Sequence, residues 1–247
     1  MFDSVLNESI LKRAIGKKII EVELVDIRNF SKDKTHRIDR PPVGGGAGLI
    51  MQCQPIHDAL NATKSPNSHV VLLSPRGKMY NQEIAKQFKN VDHLIIICGH
   101  YEGIDERIYN YADEIISIGD YVLTGGEIAA MSIIDSVARL KEGVISTESL
   151  DNESFENDLL EYPQYAEPYD FKGDKIPQIL YSGNHLAIQK YRLYQSLKLT
   201  KELRPDLFAK HKLTKGEKKL IDEYAKEKIP KFEAEAIKKG IKFIKNK

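Results

Sequence analysis

The sequence contains few cysteines, no tryptophan and no long apolar run. Its two cysteines, Cys53 and Cys98, both stand in apolar stretches. Two thiols cannot supply a disulfide scaffold or a cysteine-built zinc site, and so few are typical of a reducing compartment. The N-terminus lacks the apolar core of a secretory signal, and no stretch approaches the about 20 apolar residues that span a membrane. We therefore expect a cytoplasmic enzyme or binding protein.

The chain has 247 residues, of which 41% are hydrophobic and 30% are charged. This composition is typical of a globular protein, and the length allows one large or two modest domains with a buried core. The seven histidines show no metal-ligand spacing, so we expect no metal site.

Charge is distributed unevenly along the chain. Residues 144–170 contain eight Asp or Glu and no Lys or Arg, whereas residues 201–247 contain fifteen Lys or Arg against eight Asp or Glu, a net charge of +7. A basic segment of this kind fits a polyanionic partner, above all a nucleic acid. The alternative is a solvated lysine-rich helix surface, and charge alone favours that alternative.

Strand-like and helix-like apolar spacings alternate up to Gly143, which predicts a doubly wound parallel sheet with helices on both sides. The apolar periodicity then stops and resumes with helical spacing from Tyr181, so we expect a linker followed by a small, basic, all-α domain. Thr214 and Glu217 have the spacing of a capping box. The spacing predicts helices over residues 2–15, 54–64, 81–88, 104–111, 126–140, 184–197, 214–227 and 232–243, and strands over 19–27, 69–77, 93–99 and 114–119.

A long loop over residues 31–48 is basic at first and then contains the string GGGAG. The string lacks the Lys-Ser/Thr pair of a P-loop and does not fit GxGxxG, so it does not indicate a phosphate site. Loops of this length are usually functional or disordered. We expect either a mobile lid or a close packing contact.

Two glycine-containing loops, Gly99 to Gly103 and Gly119 to Gly126, each follow a β-branched run typical of a buried parallel strand. Glycine at the end of a strand allows a positive φ or a close approach of a ligand to the backbone. Two such loops on adjacent strands form a crevice at the carboxyl ends of the sheet, which is the usual ligand position in open α/β folds. The alternative is a pair of ordinary strand-to-helix turns.

Several long strings of this sequence resemble the bacterial tRNA (guanine-N1)-methyltransferases of the TrmD family. They are RPPVGGGAGL, LSPRG, CGHYEGIDERI, SIGDYVLTGGE, IDSVARL, ESFENDLLEYPQY and SGNH, and they stand in the family's order over Met1 to Leu213. The resemblance implies transfer of a methyl group from S-adenosylmethionine to N1 of guanosine 37 in tRNA, next to the anticodon. It also implies a homodimer in which both subunits build each active site.

The implied fold is the SPOUT methyltransferase fold, an α/β fold whose mostly parallel sheet contains a deep trefoil knot. From periodicity alone we would expect no knot. The resemblance divides the chain into a catalytic, cofactor-binding domain over residues 1–143, an acidic linker over 144–170 and a helical tRNA-binding domain over 171–247. The family begins with a strand and Phe-Pro-Glu-Met-Phe, and this chain begins at that Met-Phe, so we expect the first strand to be missing.

The resemblance also implies the residues of the active site. Glu102 matches the glutamate that contacts the substrate guanine, and a carboxylate can accept hydrogen bonds from N1 and N2 of guanine. The implied cofactor-binding residues are Ser74, Gly99, Tyr101, Glu102, Gly103, Ile118, Gly119, Asp120, Tyr121, Val122, Leu123, Gly125 and Gly126.

The chemistry requires a base, because N1 of guanine carries a proton that must leave when the methyl group arrives. Negative charge then grows on O6, which a guanidinium stabilises. The resemblance assigns these roles to Glu153, where the family has aspartate, and to Arg139. The alternatives are a solvated linker carboxylate for Glu153 and an ion pair with Asp135 for Arg139.

Other positions also depart from the family pattern. His100 stands where arginine is usual, Ala47 replaces a proline, and the segment Ala166–Pro168 replaces Thr-Arg-Pro. These departures, the missing strand and Glu153 leave an alternative function, a catalytically impaired member of the family that binds tRNA. A nucleotide-binding oxidoreductase is a further alternative, but the sequence lacks the GxGxxG string that it requires.

Overall fold

The computed structural model describes residues 1–146, 153–155 and 157–244. The chain divides into two compact units, Met1–Thr147 and Glu148–Lys247. The predicted linker over 144–170 is described in part, and residues 147–152 and 156 lie outside the described residues. The predicted division into catalytic domain, linker and RNA-binding domain stays a prediction.

The first unit is an α/β structure around a parallel sheet. Its central sheet has the strand order β4-β3-β5, and both strand pairs are parallel. The prediction of a parallel sheet in an α/β fold is therefore confirmed. The elements are the helices α1 (Asp3–Leu6), α2 (Ser9–Gly16), α3 (Cys53–Thr63), α4 (Gln82–Lys89) and α5 (Glu127–Ala138), the 3-10 helices Ile27–Phe30 and Glu106–Tyr111, and the strands β1 (Asp39–Arg40), β2 (Ile50–Met51), β3 (Ser68–Met79), β4 (His93–Ile97) and β5 (Glu114–Ser117).

Strand β3 forms the centre of the core. Val70, Val71 and Leu72 are each 0% exposed, because helices and loops cover both faces of the sheet. The helix α4 begins where Asn81 accepts a hydrogen bond from the Ile84 amide (3.0 Å), which satisfies one of the free N–H groups of its first turn. One main cluster of buried side chains lies against the sheet, formed by Ile38, Met51, Ile56, Leu60, Val70, Leu72, Ile97, Ile104 and Ile108.

The ladder between β3 and β5 contains a bulge. Leu73 and Lys78 both pair with Ile116, so the residues between them, Ser74–Gly77, leave the ladder. Gly77 allows this, because a Cβ there would lie 2.5 Å from the Ile116 backbone. The bulge places Ser74 at the carboxyl end of the sheet.

The predicted strand over residues 19–27 is wrong. Residues 20–26 have no regular structure, and a 3-10 helix follows at Ile27–Phe30. Ile20 and Val22 are partly buried against a cluster formed by Leu6, Leu11 and Ala138. Leu24, the next apolar residue of the alternating pattern, is 49% exposed. No described strand pairs with this segment, and an alternating pattern forms a strand only when a partner satisfies its backbone.

Two further predictions in the first unit need correction. The helix over 2–15 is two helices, because Ser9 takes a positive φ of 50° that an α-helix cannot continue through. The long loop over 31–48 contains the short strand β1, which pairs with β2. The remaining predicted helices and strands of this unit are found within a few residues of their predicted ends.

The second unit is mainly helical. Its core contains Ile179, Ala187, Tyr191 and Ala236. The predicted capping box is present, since Thr214 Oγ1 accepts from the Glu217 amide and Glu217 accepts from the Thr214 amide. The prediction of an all-α domain missed a two-stranded hairpin. The elements are β6 (Asp170–Phe171), β7 (Asp174–Lys175), the 3-10 helix Gln178–Tyr181, and the helices α6 (His185–Leu203), α7 (Pro205–Lys210), α8 (Lys215–Lys226) and α9 (Lys231–Ile244).

Within the described ranges, no helix is both long enough and apolar enough to cross a bilayer.

The bulge in β3 gives a stability prediction. Gly77→Ala puts a methyl group against the Ile116 backbone. Because backbone atoms cannot rotate away as a side chain can, we expect a loss of about 2–3 kcal/mol in the free energy of unfolding. The measurement is the midpoint of urea unfolding. Gly16→Ala is the matched control, because a Cβ at Gly16 meets nothing within 4 Å, and its midpoint should stay unchanged or rise. Equal midpoints for the two variants would contradict the packing described here.

Candidate active site

The two glycine-containing loops lie side by side at the carboxyl ends of β4 and β5. These strands flank β3, so the prediction that the two loops follow adjacent strands is wrong. The Gly126 amide donates to the Gly99 carbonyl (2.8 Å), and His100 forms an isolated antiparallel bridge with Gly125. This contact needs glycine, since a Cβ on Gly126 would lie 2.8 Å from the Cα of Cys98. The structure therefore brings together the two loops in which the sequence predicted the site.

The end of the long loop forms a third wall. The Glu102 amide donates to the Leu49 carbonyl (3.1 Å), and the Met51 amide donates to the Gly103 carbonyl (3.0 Å). Gly48 has a φ of +74°, and a Cβ there would lie 2.3 Å from Cγ of Glu102. Of the two interpretations of the GGGAG string, the structure supports a close packing contact at Gly48, and this contact orients the Glu102 side chain.

A short side-chain hydrogen bond joins the first glycine loop to the start of α5. Nε2 of His100 lies 2.6 Å from Oε1 of Glu127, the first residue of α5. The pair is only partly exposed, with 43% of the His100 side chain and 19% of the Glu127 side chain accessible. A Cβ on Gly125 would lie 2.5 Å from Oε2 of Glu127 and 2.7 Å from Cε1 of His100. We call His100 and Glu127 the loop clamp, because they fix the end of β4 against the start of α5.

The bulge of β3 forms the next wall of the crevice. The Tyr109 hydroxyl donates to Oγ of Ser74 (3.2 Å), and the Arg76 guanidinium lies 4.1 Å above the Tyr109 ring. Arg76 also pairs with Glu106 at 2.8 Å. These contacts hold Ser74 at the carboxyl end of the sheet, and its role in binding a cofactor stays a prediction.

The second glycine loop presents large side chains to solvent. Gly119 is held by Ser117, whose hydroxyl donates to the Gly119 carbonyl (3.1 Å). Tyr121 is 54% exposed, Val122 is 87% exposed, and Tyr101 on the other loop is 52% exposed. Exposed apolar side chains at the rim of a crevice mark a ligand surface.

The floor of the crevice is chemically inert. Cys98 follows β4 directly, and burial raises the pKa of its thiol to about 12, with the Glu127 carboxylate adding to the shift. A neutral buried thiol is a poor nucleophile. The crevice therefore offers a binding surface, and it does not offer a cysteine nucleophile.

The two predicted catalytic residues lie in different units. Arg139 caps the C-terminal end of α5 in the first unit, where its amide donates to the Asp135 carbonyl (3.0 Å). Glu153 is half-buried and belongs to the second unit. Their roles in catalysis stay predictions, as do the assignments of the individual cofactor-binding residues.

Sequence reasoning missed several residues that shape the crevice. Gly48, Gly77, Met51 and the loop clamp were not predicted as parts of the site. For His100 and Glu127 a signal existed, since each adjoins a glycine that the sequence singled out. For Met51, whose sulfur accepts from the His100 amide at 3.2 Å, the sequence offered no such signal. No group of three or more His, Cys, Asp or Glu in the described part of the chain could hold a metal ion.

The geometry defines an α/β protein in which two glycine-containing loops meet at the carboxyl ends of a parallel sheet. Comparison with known proteins identifies its family. The family described as tRNA (Guanine-1)-methyltransferase TrmD matches residues 1–210. The chain belongs to this family, whose members are transferases with the SPOUT fold, and it is a methyltransferase.

Individual relatives agree with this assignment. The chain is 57% identical over 210 residues to a tRNA (guanine-N(1)-)-methyltransferase of Malacoplasma penetrans, covering 85% of this chain and 93% of that protein. It is 52% identical over 229 residues to a protein of the same name from Clostridium novyi, covering 92% and 95%. It is 49% identical over 225 residues to one from Clostridium botulinum strain Hall, covering 90% and 94%.

The loop clamp gives a prediction about local stability. His100→Ala removes a partly buried, charge-assisted contact, which we expect to lower the free energy of local opening by roughly 1.5 kcal/mol and to speed amide exchange in residues 119–126 about tenfold. Hydrogen–deuterium exchange with peptide-resolved mass spectrometry measures this.

His93→Ala is the matched control for that experiment. His93 lies at the opposite end of β4, where its Nδ1 lies 2.7 Å from Oγ of Ser68. Its loss should leave exchange in residues 119–126 unchanged. Unchanged exchange in His100→Ala would show that the clamp does not hold the loops together.

Proposed function

We propose that this protein transfers a methyl group from S-adenosylmethionine to N1 of guanosine 37 in tRNA. The observation that carries the proposal is the family match over residues 1–210, which contains the entire crevice. The relatives' names state the substrate and the modified atom, and the position in tRNA follows from the resemblance of the sequence strings. With tRNA as substrate, we place the protein in the cytoplasm.

The crevice fits the methyl donor. Gly103 has a φ of +132° and a Cβ there would meet nothing within 4 Å, so its backbone is open to a ligand. The backbone groups of both glycine loops can read the adenine edge, while Tyr101, Tyr121 and Val122 supply exposed apolar surface. When bound, the donor supplies an electrophilic methyl group on a sulfonium. Ser74, Ile118, Gly119, Asp120, Leu123, Gly125 and Gly126 complete the proposed cofactor residues, and the family's trefoil knot belongs to the same proposal.

Glu102 is the proposed contact to the target guanine. Its backbone is tied to Leu49 and its side chain is oriented by Gly48. An ionised carboxylate can accept a hydrogen bond from the N2 amino group of guanine, which leaves the N1–H to the base. This contact selects guanine, because adenine has no amino group at C2.

The proposed proton transfer uses Glu153 and Arg139. The Glu153 carboxylate takes the N1 proton, the freed electron pair on N1 forms the new N–C bond, and the sulfonium leaves as a neutral thioether. Negative charge that develops on O6 is stabilised by the Arg139 guanidinium. In line with the resemblance of the sequence strings, we propose a homodimer in which each active site takes one residue from each subunit.

The alternative is a family member that binds tRNA without methylating it. Two observations favour it: Glu153 stands where the family has aspartate, and residues 20–26 have no paired strand. This alternative requires RNA binding with a steep dependence on salt and no methyl transfer.

One assay separates the two functions. The protein is incubated with methyl-labelled S-adenosylmethionine and unmodified tRNA that carries guanosine at positions 36 and 37. The proposal requires label at N1 of guanosine 37 and none in a transcript with adenosine 37. Binding of the tRNA without label in either transcript would favour the alternative.

The proposed base and guanidinium give a prediction about turnover. Glu153→Gln cannot accept the N1 proton, and we expect kcat to fall about 10²–10⁴-fold. Arg139→Ala loses the charge that stabilises O6, and we expect a fall of about 10²–10³-fold. Glu153→Asp restores the family's carboxylate and should keep activity. All three should bind the methyl donor as the unchanged protein does, measured by calorimetry.

The same variants test the shared active site. If each site takes Arg139 from one subunit and Glu153 from the other, co-expressing Arg139→Ala with Glu153→Gln leaves one intact site in each mixed dimer. Activity should then return to roughly a quarter of the unchanged protein's. Near-normal turnover in either single variant would remove that residue from the mechanism, and no recovery on mixing would place both residues in one subunit's site.

The packing of Gly48 gives a prediction about guanine recognition. Gly48→Ala must displace the Glu102 side chain, and we expect kcat/KM for tRNA to fall about 100-fold, because a misplacement of about 1 Å has that effect on catalysis. Gly44→Ala is the matched control, since Gly44 has a φ of +94° but a Cβ there would meet nothing within 4 Å. Equal kcat/KM values for the two variants would contradict the role given to Glu102.

A further inference from the structure

The second unit contains a cleft that the proposed mechanism does not use. Its volume is about 280 Å³, and its lining comes entirely from the second unit. The lining combines three tyrosine rings, an arginine, a carboxylate and an apolar floor, namely Tyr162, Tyr165, Tyr181, Arg192, Glu167 and Leu180. We call it the tyrosine cleft.

The walls of the tyrosine cleft are held in place by contacts behind them. The Arg192 guanidinium lies 4.7 Å from the centroid of the Tyr162 ring. The Tyr181 hydroxyl donates to Oε1 of Glu167 (3.2 Å), and the Tyr181 ring packs edge-to-face against Tyr169 at 5.5 Å. A cleft with walls fixed in this way is preorganised for a flat ligand.

The floor of the cleft is joined to the core of the second unit. Leu180 packs against the buried cluster that contains Ile179, which is 0% exposed. Tyr165, in contrast, is 48% exposed. The cleft thus has a rigid apolar base and an aromatic side chain that is open to a ligand.

The composition of the second unit indicates the class of ligand. Residues 201–247 of this unit carry a net charge of +7, although the cleft takes part of its lining from the acidic segment 144–170. Aromatic rings beside an arginine bind unpaired nucleobases, because each base has a π-face that stacks on the ring. The Glu167 carboxylate can accept from an N–H group at a base edge, and it disfavours a free phosphate or an acidic peptide.

We propose that the tyrosine cleft binds one unpaired nucleobase of the tRNA anticodon loop, a base other than the guanine that is methylated. The inference rests on the proposed function for the identity of the RNA. Tyr165 and Tyr162 supply the stacking surfaces, Arg192 keeps the Tyr162 ring in place and adds positive charge, and Glu167 binds the base edge. The cleft thereby fixes the loop while the target guanine occupies the crevice.

The test uses RNA hairpins with the sequence of the anticodon stem and loop, in which 2-aminopurine replaces one loop base at a time. The full-length chain is added without methyl donor, and the fluorescence of 2-aminopurine is followed. We expect one loop position other than 37 to be quenched by stacking on binding. Tyr165→Ala should remove that quench and weaken binding roughly tenfold, with no change in the salt dependence of binding, since stacking releases no counterions.

Three controls make the outcome decisive. Phe171→Ala removes a 61% exposed aromatic ring of the same unit outside the cleft and should bind as the unchanged protein does. Tyr165→Phe keeps the ring and should keep the quench. Tyr162→Ala should reproduce the effect of Tyr165→Ala, and circular dichroism verifies that each variant is folded.

The results separate this inference from the proposed function. A quench that persists in both alanine variants, or the absence of any quench although the hairpin binds, would overturn the inference. A quench that depends on Tyr165, combined with no methyl transfer to tRNA, would uphold the cleft and overturn the proposed catalysis. Absence of RNA binding would overturn both.

Discussion

The crevice depends on a single backbone contact, the hydrogen bond from the Gly126 amide to the Gly99 carbonyl. It joins the end of β4 to the start of α5, and the chain between these two points contains a 3-10 helix, β5 and both glycine loops. Glycine is required at this contact, since a Cβ at Gly126 would lie 3.0 Å from the Gly99 nitrogen. The loop clamp adds a side-chain contact beside this bond, and together they hold the two loops against each other.

In the first unit, the residues that make the structure rigid are different from the residues that are exposed to a ligand. The centre of its sheet is fully buried, and Cys98, which follows β4, has a thiol that stays protonated because burial raises its pKa. Its rim carries Tyr101, Tyr121 and Val122, which are more than half exposed. Burial fixes the floor, so the backbone of the glycine loops can serve as a preformed surface and the exposed side chains can contact a ligand.

Much of the first unit could be predicted from the sequence, because β-branched runs followed by glycine indicate buried parallel strands and their loops. The contacts across the crevice could not be predicted. The contact between Gly48 and Glu102 depends on how the loop over residues 31–48 returns to the sheet. The periodicity of apolar residues carries no information on the path of that loop. The strand predicted over residues 19–27 is wrong for a related reason. An alternating pattern indicates that one face of the segment is buried, but a strand also needs a partner strand that satisfies its backbone hydrogen bonds.

In the second unit three described α-helices were predicted from apolar spacing and from the capping box at Thr214, whereas the short helix Pro205–Lys210 was not predicted and the helix predicted over 184–197 extends to Leu203. The tyrosine cleft was not predicted, since Tyr162 and Tyr165 lie in a segment that the sequence indicated as a linker. Its walls depend on contacts such as that of Arg192 with Tyr162, which join α6 to residues before the hairpin. Aromatic residues in an acidic, proline-containing stretch lack the periodicity that reveals a helix or a strand.

The central claim is that the crevice between the two glycine loops binds the methyl donor. Isothermal titration calorimetry of the full-length chain with S-adenosylmethionine, and with its demethylated product S-adenosylhomocysteine, tests this most directly. Measurable heat is expected with both compounds, and this heat should be lost in the variant Gly126→Val, which opens the junction of the two loops. Folded protein that gives no heat with either compound would show that the crevice does not bind the methyl donor.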